Sequence, residues 1–443
     1  MTLGLKRLAN ALDLNTRSVN SFSTYTLVAL VVGNAVGAGI YTTSGFSLAD
    51  LGSKEWVILA WFVAGLIALM GAISYGMLVQ GLTESGGEYL YLSRSIHPLA
   101  GFIAGWVSLL AGFPGAIAFA ASAFESYARA ALPDLAAMPL DSIAVLVTSG
   151  AGVMHIVRVK TGALTHEIFV SIMMLLLGVT IVWSGFTFLS NPALPVIEST
   201  DPVSFNIFVF ANSLVWISLS YSGFNAAAYV AGEVQNAASR VPRGMIIGTL
   251  ITMLLCVLIN AIMLYGADAD VLRGQADVAA VSAQAMGGLT ARRLVELLIA
   301  ISLLTSITAM VLAGPRVYAK MAEDGALPQF FRAQVGQPPR TSIMLQVVSA
   351  LLLILIADLR GLLSYLGFTL SLCLALAVSS LFVRHWRLGE RPNSAWYPLA
   401  PMIFVACTGL FAILSAINEP KQFYAAIPTV VMGMSAYLIS RRM

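Results

Sequence analysis

The sequence predicts an all-α polytopic membrane protein with twelve transmembrane helices, on three observations. First, 58% of the 443 residues are hydrophobic and 10% charged, with a mean hydropathy of +0.86. Soluble domains carry roughly 25% charged residues. Second, apolar runs of about 20 residues, the length needed to cross a bilayer, recur along the whole chain. They fall near 26–48, 55–79, 98–124, 141–157, 163–188, 203–232, 242–266, 292–321, 341–357, 361–384, 396–417 and 422–440. Third, the first and sixth runs interrupt themselves at mid-depth with glycine and small polar residues. No strand-like alternation suggests a barrel, and connections are too short for a soluble domain. A single membrane domain fills 1–443, preceded only by a lead at 1–24.

That lead lacks the compact apolar core of a signal peptide. Leu5, Leu8 and Leu12 stand at helical spacing, and either a short interfacial helix or an unstructured lead fits them. An even number of spans puts both termini on one side, and basic loops mark the cytoplasmic side. With both termini inside, only Lys54, Arg129, Arg273, Arg292, Arg293, Arg360 and Lys421 of the 24 Lys and Arg fall outside. The net charge of +3 is therefore topological and carries no nucleic-acid signal. Cys256, Cys373 and Cys407 all lie within predicted spans and read as apolar fillers. They make neither a disulfide framework, a link to a partner chain nor a metal site.

The first span contains Gly33-Asn34-Ala35-Val36-Gly37-Ala38-Gly39-Ile40. Each interior glycine costs about 1 kcal/mol relative to alanine. Backbone freed in hydrocarbon is tolerated only where it lines a cavity or is buried in protein. Close helix packing through Gly33 and Gly37 is the other reading of the same spacing. The sixth span carries Ser220-Tyr221-Ser222-Gly223-Phe224-Asn225 inside an apolar run. Spans one and six correspond in two five-span halves, 25–190 and 203–386, and matched breaks point to a binding site. Five spans is an odd number, so the second half is inverted relative to the first. Spans eleven and twelve, 395–440, lie outside this repeat.

Further stretches are Ser85-Gly86-Gly87-Glu88-Tyr89-Leu90-Tyr91, the run Glu233-Val234-Gln235-Asn236 with Val241-Pro242-Arg243, and Pro315-Arg316-Val317-Tyr318 continuing to Pro328. Together with the glycine-rich first span, in this order and spacing, they resemble the amino acid–polyamine–organocation (APC) transporter superfamily over essentially the whole chain. The resemblance implies a leucine-transporter-like 5+5 inverted repeat with discontinuous helices 1 and 6. It also implies secondary transport of amino acids or related amines, as a permease or exchanger.

On that reading, the N–H groups of Gly37, Ala38, Gly39 and Ile40 open a half-helix whose positive end faces the substrate carboxylate. The ammonium meets carbonyls near Ala35 and Leu219 or Ser220, in the break that includes Tyr221, Ser222 and Gly223. Asn34 either contacts substrate or satisfies freed backbone. Alignment to amino acid exchangers adds Ala111, Gly112, Phe113 and Ala116 from span three, and Ala309 and Met310 from span eight. These positions carry no charge, which implies a neutral or apolar amino acid. The aromatic gate of many relatives falls on Leu219 here, so either the chain has no aromatic lid or Tyr221 takes over that role.

Several bacterial relatives carry a coupling lysine in span five, where this chain has Met173. Ser302, Thr305 and Ser306 form a candidate ion site for Na⁺, although hydroxyls bonding back to their own helix are the commoner explanation. Coupling to H⁺ or Na⁺ and uncoupled exchange all stay open. His166 and Glu167 are placed in the first turn of span five, as titrating groups or as stabilisers of the helix start. Glu296 is expected to pair with Arg292 or Arg293. Glu233 resembles the family's cytoplasmic-gate acid, with Arg94 or Arg243 as partner.

The expected partners are an amino acid and the lipid bilayer, with no nucleic acid, metal or cofactor. His97, His155, His166 and His385 are scattered, and no HExxH or GxSxG signature supports an enzyme. A polyamine or organic-cation carrier of the same fold, and a transporter-like amino acid sensor without net flux, are the alternatives. The location implied is a bacterial inner membrane, with cytoplasmic termini.

Overall fold

The computed structural model describes residues 22–157, 159–190, 205–334, 337–356, 359–418 and 420–440. Leu5, Leu8 and Leu12 lie outside them. Among the described residues every regular element is helical. Eight helical segments are long and apolar enough to cross a membrane: Thr24–Leu51, Lys54–Gly81, Pro98–Ala131, Gly162–Ser190, Ala237–Tyr265, Val278–Glu323, Gly367–Leu388 and Leu399–Ile417. Four shorter apolar helices, Ser142–Val157, Ile207–Ser220, Arg340–Ile356 and Ala426–Ile439, lie at the other expected positions.

The first segment is two helices, α1 (Thr24–Ala35) and α2 (Ala38–Leu51). A capping box opens α1: Ser23 Oγ accepts from the Thr26 amide at 3.0 Å, and the Ser23 amide donates to Thr26 Oγ1 at 3.2 Å. Next come α3 (Lys54–Gly81), capped by Ser53, and the short α4 (Gly87–Ser95). The third segment starts as α5 (Pro98–Val107) and resumes as α6 (Phe113–Ala131) after a π-helical turn over Ser108–Gly112. Then follow α7 (Ser142–Val157), α8 (Val159–Ser190) and α9 (Ile207–Ser220). After α9 the chain turns at Tyr221–Asn225 and continues as a 3₁₀ segment, Ala226–Glu233. The rest comprises α10 (Ala237–Tyr265), α11 (Ala269–Leu272), α12 (Val278–Glu323), α13 (Arg340–Ile356), α14 (Leu359–Leu388), α15 (Leu399–Asn418) and α16 (Pro420–Ser440).

Helix α12 is the central post, with 83% of its most apolar window buried. It packs on α6, α8, α1 and α13. Its N-terminal end kinks at Gly287 and Gly288, the latter at φ 68°, ψ −163°, a region open essentially to glycine. By contrast α8 is peripheral. Its Leu175, Val182, Phe186 and Leu189 are exposed on a continuous apolar face, as a lipid-facing helix requires.

Two expectations about α8 and α12 resolve here. Since α8 begins at Val159, His166 and Glu167 lie two turns into it, so neither occupies a first turn. Instead His166 is wholly buried, its Nε2 3.1 Å from the Ala29 carbonyl on α1 and its Nδ1 3.0 Å from Thr308 Oγ1 on α12. Glu167 accepts a hydrogen bond from the Thr26 hydroxyl. Glu296 does pair with Arg292, at 2.9 Å, and the same guanidinium reaches Asp277 at 3.1 Å.

A Cβ at Gly288 would meet no atom within 4 Å, so an alanine there suffers only from its backbone conformation. Gly288→Ala is expected to destabilise the detergent-solubilised protein by roughly 1–3 kcal/mol. Gly185→Ala, also in open space but helical, should be neutral or stabilise by up to about 1 kcal/mol. Melting curves read both, and an unshifted midpoint for Gly288→Ala contradicts the assignment.

Candidate substrate site

The break in the first segment is short and complete. Val36 closes α1 by donating its amide to Val32 O at 2.8 Å, and Gly37 then takes an extended conformation as the N-cap of α2. No side chain caps α2. Its leading amides, on Ala38, Gly39 and Ile40, therefore stand without intrahelical acceptors at the positive end of a helix. In the second break, α9 stops at Ser220 and tight turns replace the helical ladder: Ser222 N to Leu219 O at 3.1 Å and Phe224 N to Tyr221 O at 3.3 Å.

The two breaks face each other. A Cβ added at Gly223 would stand 2.5 Å from the Ala35 nitrogen and 2.7 Å from the Asn34 carbonyl carbon. One added at Gly39 would collide with Ser220 Oγ. At Gly223 backbone of the first segment occupies the space where a side chain would start, and at Gly39 the Ser220 side chain does.

Beside this meeting point lies a cavity of about 210 Å³. From the breaks it is lined by Asn34, Ala35, Gly37, Ala38, Gly39, Leu219, Ser220 and Ser222. Two of these carry orphaned polar atoms: among the described residues, Asn34 Oδ1 and Ser220 Oγ are buried without a hydrogen-bond partner. Buried polar atoms are normally satisfied, so both mark places where a polar ligand group fits.

Several expected residues lie elsewhere. The Ile40 side chain is fully buried outside the cavity, while its amide, the group the sequence singled out, belongs to the uncapped first turn of α2. Of the third-segment set, Gly112, Phe113 and Ala116 line the cavity and Ala111 does not. The π-helical turn is the reason, because its extra residue rotates Ala111 away and brings Val107 and Ser108 in. On α12 Met310 lines the cavity with Leu303 and Ser306, at three- and four-residue spacings, whereas Ala309 sits on another face.

Tyr221 does not line the cavity. Its ring packs on Trp61 and its hydroxyl donates to the Trp61 carbonyl at 3.0 Å, away from the cavity. The aromatic residues on the cavity wall are Phe113, Phe119, Trp216 and Tyr229. Trp216 lies one turn before Leu219 on α9, a helical spacing that marks the same face.

The hydroxyls of α12 are partly brought together. Thr305 Oγ1 and Ser306 Oγ both reach the Gly33 carbonyl, at 3.3 and 3.0 Å, just before the first break. Ser302 turns instead to Tyr41, at 2.9 Å, and to its own helix at Leu298 O. Thr305 also back-bonds to Ser302 O at 2.6 Å. These hydroxyls therefore have carbonyl acceptors already. Met173, in the position of the coupling lysine, offers Thr305 its sulfur at 3.5 Å.

The sequence reading of an acid-free pocket is corrected by Glu88, whose residue lines the cavity. It belongs to the connection between predicted spans two and three, which folds back as α4 against the cavity. Its carboxylate accepts from Tyr75 OH at 2.6 Å, Asn225 Nδ2 at 2.9 Å and Tyr229 OH at 2.8 Å.

Glu233 pairs with neither Arg94 nor Arg243. Its carboxylate takes both arms of Arg316, Nε at 2.6 Å and Nη2 at 3.1 Å, which ties the 3₁₀ segment to α12. Arg94 pairs with Asp324 at 2.9 Å, and Lys320 reaches Glu84 at 2.5 Å. Tyr89 donates to Asp324 at 3.0 Å, and burial, then the Asp324 charge, hold its phenol well above the usual range. All of these bonds cluster at the end where α1 begins, since the Phe22 amide donates to the Glu233 carbonyl at 3.3 Å.

This geometry agrees with the comparisons to known proteins. The amino acid permease family model matches residues 22–437. The chain is 23% identical to the large neutral amino acids transporter small subunit 2 of Oryctolagus cuniculus, over 93% of this chain and 78% of the relative. It is 24% identical to the cystine/glutamate transporter of Homo sapiens, over 93% and 83%. It is also 24% identical to the serine/threonine exchanger SteT of Bacillus subtilis (strain 168), over 92% and 94%. A broken helical pair, a cavity at the breaks and a family match across nearly the whole chain lead to one conclusion: the protein belongs to the amino acid permease family, and is an integral membrane amino acid transporter, not an enzyme.

Proposed function

We propose that the chain moves neutral or apolar amino acids across the membrane by alternating access, as a permease or exchanger, binding them at the paired breaks. The observation that carries this reading is the α2 N-terminus, uncapped by any side chain and lining a cavity beside the orphaned Asn34 Oδ1 and Ser220 Oγ. The α2 amides receive the carboxylate, and carbonyls at the ends of α1 and α9 receive the ammonium. A zwitterion left unpaired in this setting would cost several kcal/mol. The remaining wall is largely apolar, with Val107, Phe113, Ala116, Phe119, Leu303 and Met310. Relatives named for neutral amino acids, cystine and glutamate, or serine and threonine show that membership alone leaves the side-chain class open.

In the same proposal twelve helices span the membrane, the eight long segments plus the four shorter ones, with 25–190 and 203–386 as inverted halves. The mutual contact of the two breaks supports this pairing. Both termini are cytoplasmic, in a bacterial inner membrane. The Glu233–Arg316 pair and the Arg94 and Lys320 bonds then close the cytoplasmic side.

Proteoliposomes loaded with unlabelled amino acid should take up neutral labelled amino acids. Arginine or putrescine moving while neutral amino acids fail would reject the pocket argument. Na⁺ dependence that disappears in Ser306→Ala would establish the ion site, whereas uptake indifferent to Na⁺ and pH gradients marks uncoupled exchange. Gly223→Ala should abolish uptake while leaving the protein folded, and wild-type rates in that variant would reject the interlocked site. Glu233→Gln removes half of the Arg316 fork, so inward-facing accessibility should rise and transport kinetics change by at least several-fold. Unchanged kinetics and accessibility would remove the gate assignment.

A further inference from the structure

Glu88 is 5% exposed, and its three hydrogen-bond donors are all neutral. Among the described residues no Lys, Arg or His forms an ion pair with it. Tyr75 and Tyr229 each donate their hydroxyl proton to it, and Asn225 Nδ2 donates both to it and, at 3.1 Å, to Tyr229 OH. The first turn of α4, where Glu88 sits, adds the positive end of a helix. The cavity wall thus holds a carboxylate with no cationic partner among the described residues.

Resting on the reading that this cavity binds the amino acid, we propose that Glu88 is a specificity-determining residue that excludes amino acids with anionic side chains. A second carboxylate in the cavity would share a poorly screened space with Glu88 and find no cation on the wall. Neutral side chains escape this repulsion, and a side-chain donor meets the unoccupied lone pair of a carboxylate that takes only three bonds. Selection works here by penalising the wrong ligand, which costs the right one nothing.

The test is competition against a labelled neutral amino acid in proteoliposomes, using the isosteric pairs glutamine and glutamate, and asparagine and aspartate. For wild type, glutamate should compete at least tenfold more weakly than glutamine. Glu88→Gln should shrink that ratio below about threefold, and Glu88→Asp should keep it. A purely structural Glu88 would alter the transport rate of the variant and leave the ratio alone, which overturns the proposal. So does a wild type that accepts glutamate as readily as glutamine. If no amino acid binds the wild type at all, the parent reading falls first, and the two failures are thereby distinguished.

A second measurement needs no change at Glu88. Cys373 lines the same cavity. In a Cys407→Ser background, a cationic methanethiosulfonate should modify Cys373 at least tenfold faster than an anionic one, after normalisation to a free thiol. Equal or reversed rates overturn the proposal.

Discussion

Two strands of bare backbone pressed together at the centre of the helical bundle set the rest of the structure. Gly223 lies on the Asn34–Ala35 peptide and Gly39 on the Ser220 side chain, so a side chain at either glycine would run into the other segment. Each interruption forfeits helical hydrogen bonds in a place where hydrocarbon would penalise the loss heavily. The turns at Tyr221–Asn225 and the Thr305 and Ser306 hydroxyls on Gly33 recover part of it. What they leave open is concentrated on the cavity wall. In the proposed function the cost of breaking the helices and the capacity to bind a charged small molecule are the same set of unmatched peptide groups.

Charge is distributed to suit that arrangement. One group of ion pairs lies at the end near the start of α1, where Glu233, Arg316, Arg94, Asp324, Lys320 and Glu84 join α12 to α4 and the 3₁₀ segment. A bidentate Arg–carboxylate pair is a strong, geometrically specific tie that also breaks discretely. Alternating access needs such a tie at a closed end. At the cavity itself no cationic side chain lines the wall, and backbone dipoles and one buried carboxylate define the field. A field made of peptide groups suits a ligand whose two charges are common to all amino acids. In the proposed function discrimination then falls to the side-chain end of the cavity, to Phe113, Met310 and Glu88.

The breaks were legible because glycines and small polar residues stand out inside apolar runs, and Gly37–Gly39 and Ser220–Gly223 fall where expected. The apolar spans were legible for the same reason of contrast. Side-chain direction was harder to read. Ala111 and Ala309 were misplaced by a rotation about their helix axes, the first through a π-helical turn that no residue pattern announced. Tyr221 sits beside the break, yet its hydroxyl finds the Trp61 carbonyl on α3, a choice set by tertiary packing. Glu88 was visible as part of a motif, but nothing local told that its connection folds back against the cavity. Glu233 met Arg316 rather than the two arginines nearest in the motif order, because partner choice across 83 residues depends on how α12 crosses the 3₁₀ segment.

The central claim is that peptide groups at two unwound segments hold both ends of a zwitterion. Equilibrium binding to the purified protein, comparing one neutral amino acid with its methyl ester and its N-acetyl derivative, tests it most directly. Each derivative removes one charge and leaves the side chain intact. Charge-assisted hydrogen bonds are worth about 1.5–3 kcal/mol each, so either derivative should bind at least tenfold more weakly than the parent. Equal affinity for parent and derivatives would show that the breaks grip neither charge, and the account would fail at its foundation.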